Sequence, residues 1–120
     1  MGDRISISFR KTENFPVDKP WVKESVALFS HWGGTGVLGL VREYAIGLKK
    51  WQEEHTKGVS YPLNRSEPDT VMIDFIRWLC NKEQLDRVTS DYYLGKDHYD
   101  GDNGDNGGHI FDLDAWDFKA

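Results

Sequence analysis

At Gly33-Gly34 the apolar pattern of this chain changes its period. The run Val26-Ala27-Leu28-Phe29 stops just before the glycine pair. From Gly36 onward apolar residues recur three and four positions apart, at Val37, Val41, Tyr44, Leu48 and Trp51, with Leu38 and Ala45 widening the stripe. A strand therefore runs into a glycine-rich turn, and a helix leaves it. The first amides of a helix have no partner within it, and the helix dipole is positive at that end. Such a point attracts anions. His31 and Trp32 stand beside it, and Thr35 adds a hydroxyl.

The other elements follow from the same periodicities. Ile5, Ile7 and Phe9 alternate with polar residues, which predicts a half-buried strand over 4–10. Residues 11–24 are polar and hold Pro16 and Pro20, which predicts a connection. Ser25 to Trp32 is the second strand, able to pair with the first as an open hairpin. The helix from Gly36 is expected to end near Lys57, with Gly58 as its stop. Gly39 and Gly47 inside it each cost about 1 kcal/mol against alanine, and read as points of close packing on the sheet. Ser66-Glu67-Pro68-Asp69 is a second helix start, with a capping serine, early acids and an early proline. Val71, Met72, Phe75, Ile76 and Leu79 give that helix an apolar face through to about Lys82.

Residues 88–96 read as a third strand, with Tyr92 and Tyr93 on opposite faces. The Asp/Asn/Gly run 100–108 predicts a flexible hairpin tip kept soluble by its aspartates, and 97–108 is the acidic part of it. His109 to Leu113 is the fourth strand. The tail from Asp114 either docks through Trp116 and Phe118 or stays disordered. The order β-β-α-α-β-β predicts a single α+β domain over 1–120: a four-stranded, mainly antiparallel sheet with two helices on one face.

Composition removes several function classes. Cys80 is the only cysteine, which excludes an internal disulfide and a cysteine-based metal site. No apolar run approaches the roughly 18–20 residues of a membrane span, and the first ten residues lack a signal-peptide core. No membrane partner and a cytoplasmic setting are expected. Of the 20 acids, seven lie in residues 97–120, against one of the 15 bases. No part is basic enough for a surface that binds duplex nucleic acid.

Motifs narrow the chemistry further. The glycine turn has no Gly-Lys-(Ser/Thr) and does not match Gly-x-Gly-x-x-Gly. Asp100, Asp102 and Asp105 are hard ligands suited to calcium, but the spacing misses the EF-hand template. With Asp100 first, Asp105 falls on the required glycine and Phe111 on the required glutamate. His31, His55, His98 and His109 show no transition-metal spacing. Ser30 beside His31 lacks a nucleophile elbow. No metal, no cofactor and no catalytic residue are assigned. Among the bases Arg42, Arg65, Arg77, Arg87 and Lys96, Arg65 and Arg87 flank loops from which an arginine can complete a phosphate pocket.

The segment Ala27-Leu28-Phe29-Ser30-His31-Trp32-Gly33-Gly34, followed by a helix, resembles a motif in small proteins of phages, archaea and bacteria. In these a strand ends in (Ser/Thr)-His-Trp-Gly-Gly. The acidic final strand Ile110-Phe111-Asp112-Leu113-Asp114 is similar as well. The resemblance implies the α+β architecture and transfers no catalytic residues. In size and apparent architecture the chain is also similar to compact phage-encoded oligomers that sequester cyclic nucleotide signals of bacterial immunity.

These readings converge on a non-catalytic binder of a small anionic, nucleotide-type ligand. Gly33, Gly34 and Thr35 would donate, His31 would orient, Trp32 or Tyr92 would stack, and Arg65 or Arg87 would neutralise charge. A chain this short has little room for a deep pocket, so a homo-oligomer with sites at subunit boundaries is expected. One alternative is a phosphodiesterase or ring-opening nuclease with His31 as acid–base. Another is an acidic interaction module that inhibits a host enzyme through residues 97–117.

Overall fold

The computed structural model describes residues 2–13, 21–55, 67–87 and 91–119. Eight elements follow in chain order: β1 Ile5–Glu13, β2 Trp21–Glu24, β3 Ala27–Ser30, α1 Gly36–His55, α2 Pro68–Glu83, β4 Tyr92–Gly95, β5 Gly108–Asp112 and β6 Asp117–Phe118. The class is α+β, as the sequence predicts. The sheet is mixed, however, and holds six strands among the described residues, in the order β4-β3-β1-β5-β6 with β2 also on β1.

One of the two extra strands, β2, lies beside the end of β1. β1 runs on through Glu13, and its end pairs antiparallel with β2, Arg10 opposite Glu24 and Thr12 opposite Val22. Its start pairs antiparallel with β3, Ile5 opposite Ser30 and Ile7 opposite Leu28. Four steps from 24 to 28 thus face three from 10 to 7, which is a β-bulge at Ser25-Val26. Ser25 is buried and closes the gap. Its Oγ accepts the Phe9 N–H at 2.9 Å and donates to the Val26 carbonyl at 2.8 Å. Asp69, in the first turn of α2, accepts the Val26 N–H at 3.0 Å. The strand expected over 25–32 is therefore shortened to 27–30, and residues 11–13 and 21–24 are strand where a connection was expected. Lys11-Thr12-Glu13 is polar, and Trp21-Val22-Lys23-Glu24 sets two apolar residues side by side, so neither segment shows apolar alternation.

The second correction concerns residues 97–108. β4 pairs with β3, and β5 pairs parallel with β1 on its other edge, Ile7 beside His109 and Phe9 beside Phe111. β4 and β5 are not hairpin partners, so 97–108 is a crossover and not a hairpin tip. β4 and β5 run in the same direction with β3 and β1 between them, so no tight reversing turn can join them. The tail docks: β6 pairs with β5, with Phe118 opposite Phe111.

Both helices lie on one face. Ile5, Ile7, Phe9, Leu28 and Phe111 from the sheet meet Val37, Val41, Tyr44, Ala45 and Leu48 from α1, and Val71, Met72, Phe75 and Leu79 from α2. Phe9 is the hub, with ring centroids 6.4 Å from Tyr44, 5.9 Å from Phe75 and 6.0 Å from Phe111, all edge to face. Pro68 opens α2, and Gln84 closes it in the left-handed region at φ 54°. Ser66 lies outside the described residues; the residue before the helix is Glu67, whose side chain makes no capping hydrogen bond. Gly39 and Gly47 do not mark close packing, since a Cβ at either would meet nothing within 4 Å.

Candidate functional site

The glycine turn is built largely by its own neighbours. Gly33 N–H donates to Ser30 Oγ at 2.9 Å, and Gly34 N–H donates to the Asp3 carbonyl at 2.9 Å. Asp3 N–H in turn donates to the His31 carbonyl at 2.8 Å. Gly34 sits at φ +54°, where an added Cβ would run into the Asp3 carboxylate. Two of the expected donors are therefore spent. The amides of Thr35 and Gly36 keep no partner among the described residues. Asp3 also places a resident carboxylate at the positive end of α1. A second anion 4 Å from it loses about 1 kcal/mol even in bulk water. The helix terminus offers only about 0.3–1 kcal/mol in return. Repulsion at least cancels the attraction.

The expected site residues do not gather. His31 is half-buried, with its ring centroid 5.2 Å from that of Tyr93. Tyr93 stacks in turn on Phe29 at 4.9 Å, on the face away from the helices. Tyr92 points to the helix side, so the strand tyrosine beside His31 is Tyr93. Trp32 is 60% exposed, and Thr35 is exposed. Arg87 is exposed beyond the end of α2 and makes no hydrogen bond or ion pair with the turn among the described residues. Arg65 lies outside the described residues.

The aspartates of the crossover shape its backbone. Asp97, Asp100, Asp102 and Asp105 accept the N–H groups of Tyr99, Lys96, Gly104 and Arg4 at 2.9 to 3.0 Å. Tyr93 Oη accepts the Asp102 N–H at 2.8 Å, and Asn103 Nδ2 donates to Ser6 Oγ at 2.9 Å. These bonds seat the segment on the sheet face opposite the helices. Asx turns of this kind fix a loop locally. Among the described residues no group of three or more His, Cys, Asp or Glu side chains is placed to hold a metal ion. No helix among them is long and apolar enough to cross a membrane.

Among the described residues, concavities lie elsewhere. One, of about 150 Å³, is apolar and follows β4, lined by Leu28, Ile76, Leu79, Tyr92, Tyr93 and Leu94. Burial, with Glu83 and Asp91 nearby, pushes the Tyr92 hydroxyl up to about 12. A second, of about 270 Å³, runs between the helices beside Tyr44, Leu48, Ile73, Asp74 and Arg77. Burial raises the Tyr44 hydroxyl well above its ordinary range, and its 2.7 Å hydrogen bond to Asp74 adds to this. Both tyrosines are thus held neutral in the fold while an unfolded tyrosine ionises near 10.0. Stability should be flat below that pH and fall as pH rises through and above it. Urea midpoints measured across the alkaline range check this, and Tyr44→Phe should flatten the fall; a midpoint unchanged well above pH 10.0 contradicts it.

The third concavity, about 250 Å³, is lined by Arg42, Ala45, Ile46, Lys49, Phe111, Trp116 and Asp117. It differs from the others in carrying cations over aromatic rings. The Arg42 guanidinium lies 5.0 Å from the Phe118 ring centroid, and Lys49 Nζ lies 5.8 Å from that of Trp116. Four of its residues come from one face of α1, at 42, 45, 46 and 49, one and two turns apart. The rest come from the β5–β6 hairpin. Asp112 Oδ1 accepts the N–H groups of Asp114 and Ala115, and Trp116 N–H closes on the Asp112 carbonyl at 2.7 Å. Trp116 itself takes φ 57°, a conformation rare for a bulky residue. Such strain is held in place by its surroundings, and here it lays the indole against the core. The spacing of Arg42, Ile46 and Lys49 was readable in the sequence; that Trp116 returns to meet them was not.

Comparison of the chain with protein-family models, with curated proteins and with solved structures finds no match.

Proposed function

We propose that the protein is a binding module for a small anionic ligand with an aromatic portion, taken up in the groove beside α1. The observation that carries this is the pairing of Arg42 and Lys49 with ring platforms above an apolar floor. Seven helical steps set the backbones of Arg42 and Lys49 about 10 Å apart along the axis. An aromatic base and one anionic group can span that distance. The volume, near 250 Å³, falls just under the roughly 300 Å³ at which pockets for larger ligands begin. A mononucleotide is the size class this suits. Among the described residues the one ion pair of Arg42 is with Asp117, at 3.8 Å between side chains that are both more than half exposed. Exposed pairs of this kind contribute about 0–1 kcal/mol, so a ligand anion can displace Asp117. The lining residues of the groove all come from one chain.

Isothermal titration with mononucleotides tests the reading. Arg42→Glu with Lys49→Glu should weaken binding about 100-fold, from roughly 1.5 kcal/mol for each charged contact. Equal heats in the wild type and the double variant would overturn it.

A further inference from the structure

Two Asn-Gly steps lie in the crossover, Asn103-Gly104 and Asn106-Gly107. At such a step the glycine nitrogen can reach the preceding side-chain carbonyl carbon, because glycine has no Cβ to bar the approach. Asn106 is the better placed to matter. Its Nδ2 donates to Asp3 Oδ1 at 2.6 Å and to the Arg4 carbonyl at 3.1 Å. Its own N–H donates to the same Arg4 carbonyl at 2.9 Å. The nucleophile-to-be, Gly107 N–H, is occupied by the Asn103 carbonyl at 2.7 Å, and the Gly107 carbonyl accepts the Ser6 N–H at 3.1 Å. Asn106 thus latches the crossover to the chain segment that enters β1, and the latch ties up every donor the reaction would use.

We propose that Asn106 is a modification site, deamidated when this latch opens, and that its conversion keeps the latch open. Once free, the Gly107 nitrogen gives its proton to hydroxide and attacks Cγ of Asn106. The Cγ–Nδ2 bond breaks, and the nitrogen leaves as ammonia after taking a proton from water. A succinimide ring remains. Water adds to either ring carbonyl and opens it to aspartate or isoaspartate. The net change is one water consumed and one ammonia released, with no oxidation. The product has lone pairs where Asn106 had two donors. It would face the Asp3 carboxylate and the Arg4 carbonyl, both acceptors. Arg4 offers little relief, since its guanidinium already serves Asp102 at 3.3 Å and Asp105 at 3.8 Å.

Peptide mapping by mass spectrometry of the full chain, incubated at mildly alkaline pH, tests the gate. Conversion at Asn106 should run at least about tenfold faster in urea than in native buffer, because the reaction follows the open population. Asp3→Ala removes one latch bond and should raise the native rate several-fold. Asn106→Asp, which mimics the product, should speed hydrogen exchange at the amides of Ser6, Asn106 and Gly107 about tenfold or more while leaving the α2 amides unchanged. Equal rates in urea and native buffer would overturn the proposal. So would an Asp3→Ala rate equal to wild type, a comparison that still decides if Asn106→Asp fails to fold.

Discussion

Phe9→Ala is expected to lower the unfolding free energy by about 3–5 kcal/mol, the range for truncating a fully buried ring. Phe9 is 0% exposed and touches rings from α1, α2 and β5 at once. Its removal leaves a void bordered by three elements whose backbones are held by separate ladders and helices, so the site collapses poorly. Against a typical total of about 5–15 kcal/mol, the loss brings the protein near its threshold. Urea unfolding followed by tryptophan fluorescence measures it. Leu94→Ala, at a residue 54% exposed, is the control and should stay within about 0.5 kcal/mol. A Phe9→Ala loss below about 1 kcal/mol would mean that the ring is not the hub of the core.

Gly34→Ala should be the costliest glycine replacement at the turn, at about 2–3 kcal/mol. Left-handed backbone costs an L residue about 1–2 kcal/mol. The new methyl also has to displace the Asp3 carboxylate, which loosens the segment that Gly34 N–H and the His31 carbonyl hold. The same variant should leave nucleotide affinity unchanged, because the groove beside α1 shares no residue with the turn. Gly39→Ala provides the contrast. Its Cβ meets nothing within 4 Å inside α1, so it should stabilise by about 0.5–1 kcal/mol. A thermal melt that ranks the two variants the other way would contradict this account of the turn.

Strong apolar periodicity made part of the fold legible. The alternation of Ile5, Ile7 and Phe9 and the helical stripe from Val37 to Leu48 locate β1 and α1, because each buries one face of a regular element. Where burial is partial the pattern fades. β2 is held to β1 by backbone pairing and by Ser25, and its sequence does not alternate. Strand partnership was less legible still. Turn residues between β4 and β5 look alike whether the chain reverses or crosses over, and only the pairing of β4 with β3 and of β5 with β1 decides it. The glycine turn was correctly placed after β3, but the account of its donors missed Asp3, thirty-one residues earlier in the chain. Long-range capping of this sort has no local signature. The groove followed the same rule: Arg42 and Lys49 share a visible helix face, while Trp116 reaches them through a hairpin with a strained residue.

The most direct test is a two-dimensional amide NMR titration of the full chain with adenosine monophosphate. Shifts should concentrate at Arg42, Ala45, Ile46, Lys49 and the Trp116 indole, with residues 31–36 unmoved. Shifts centred on residues 31–36, or none anywhere at millimolar nucleotide, would contradict a binding groove beside α1.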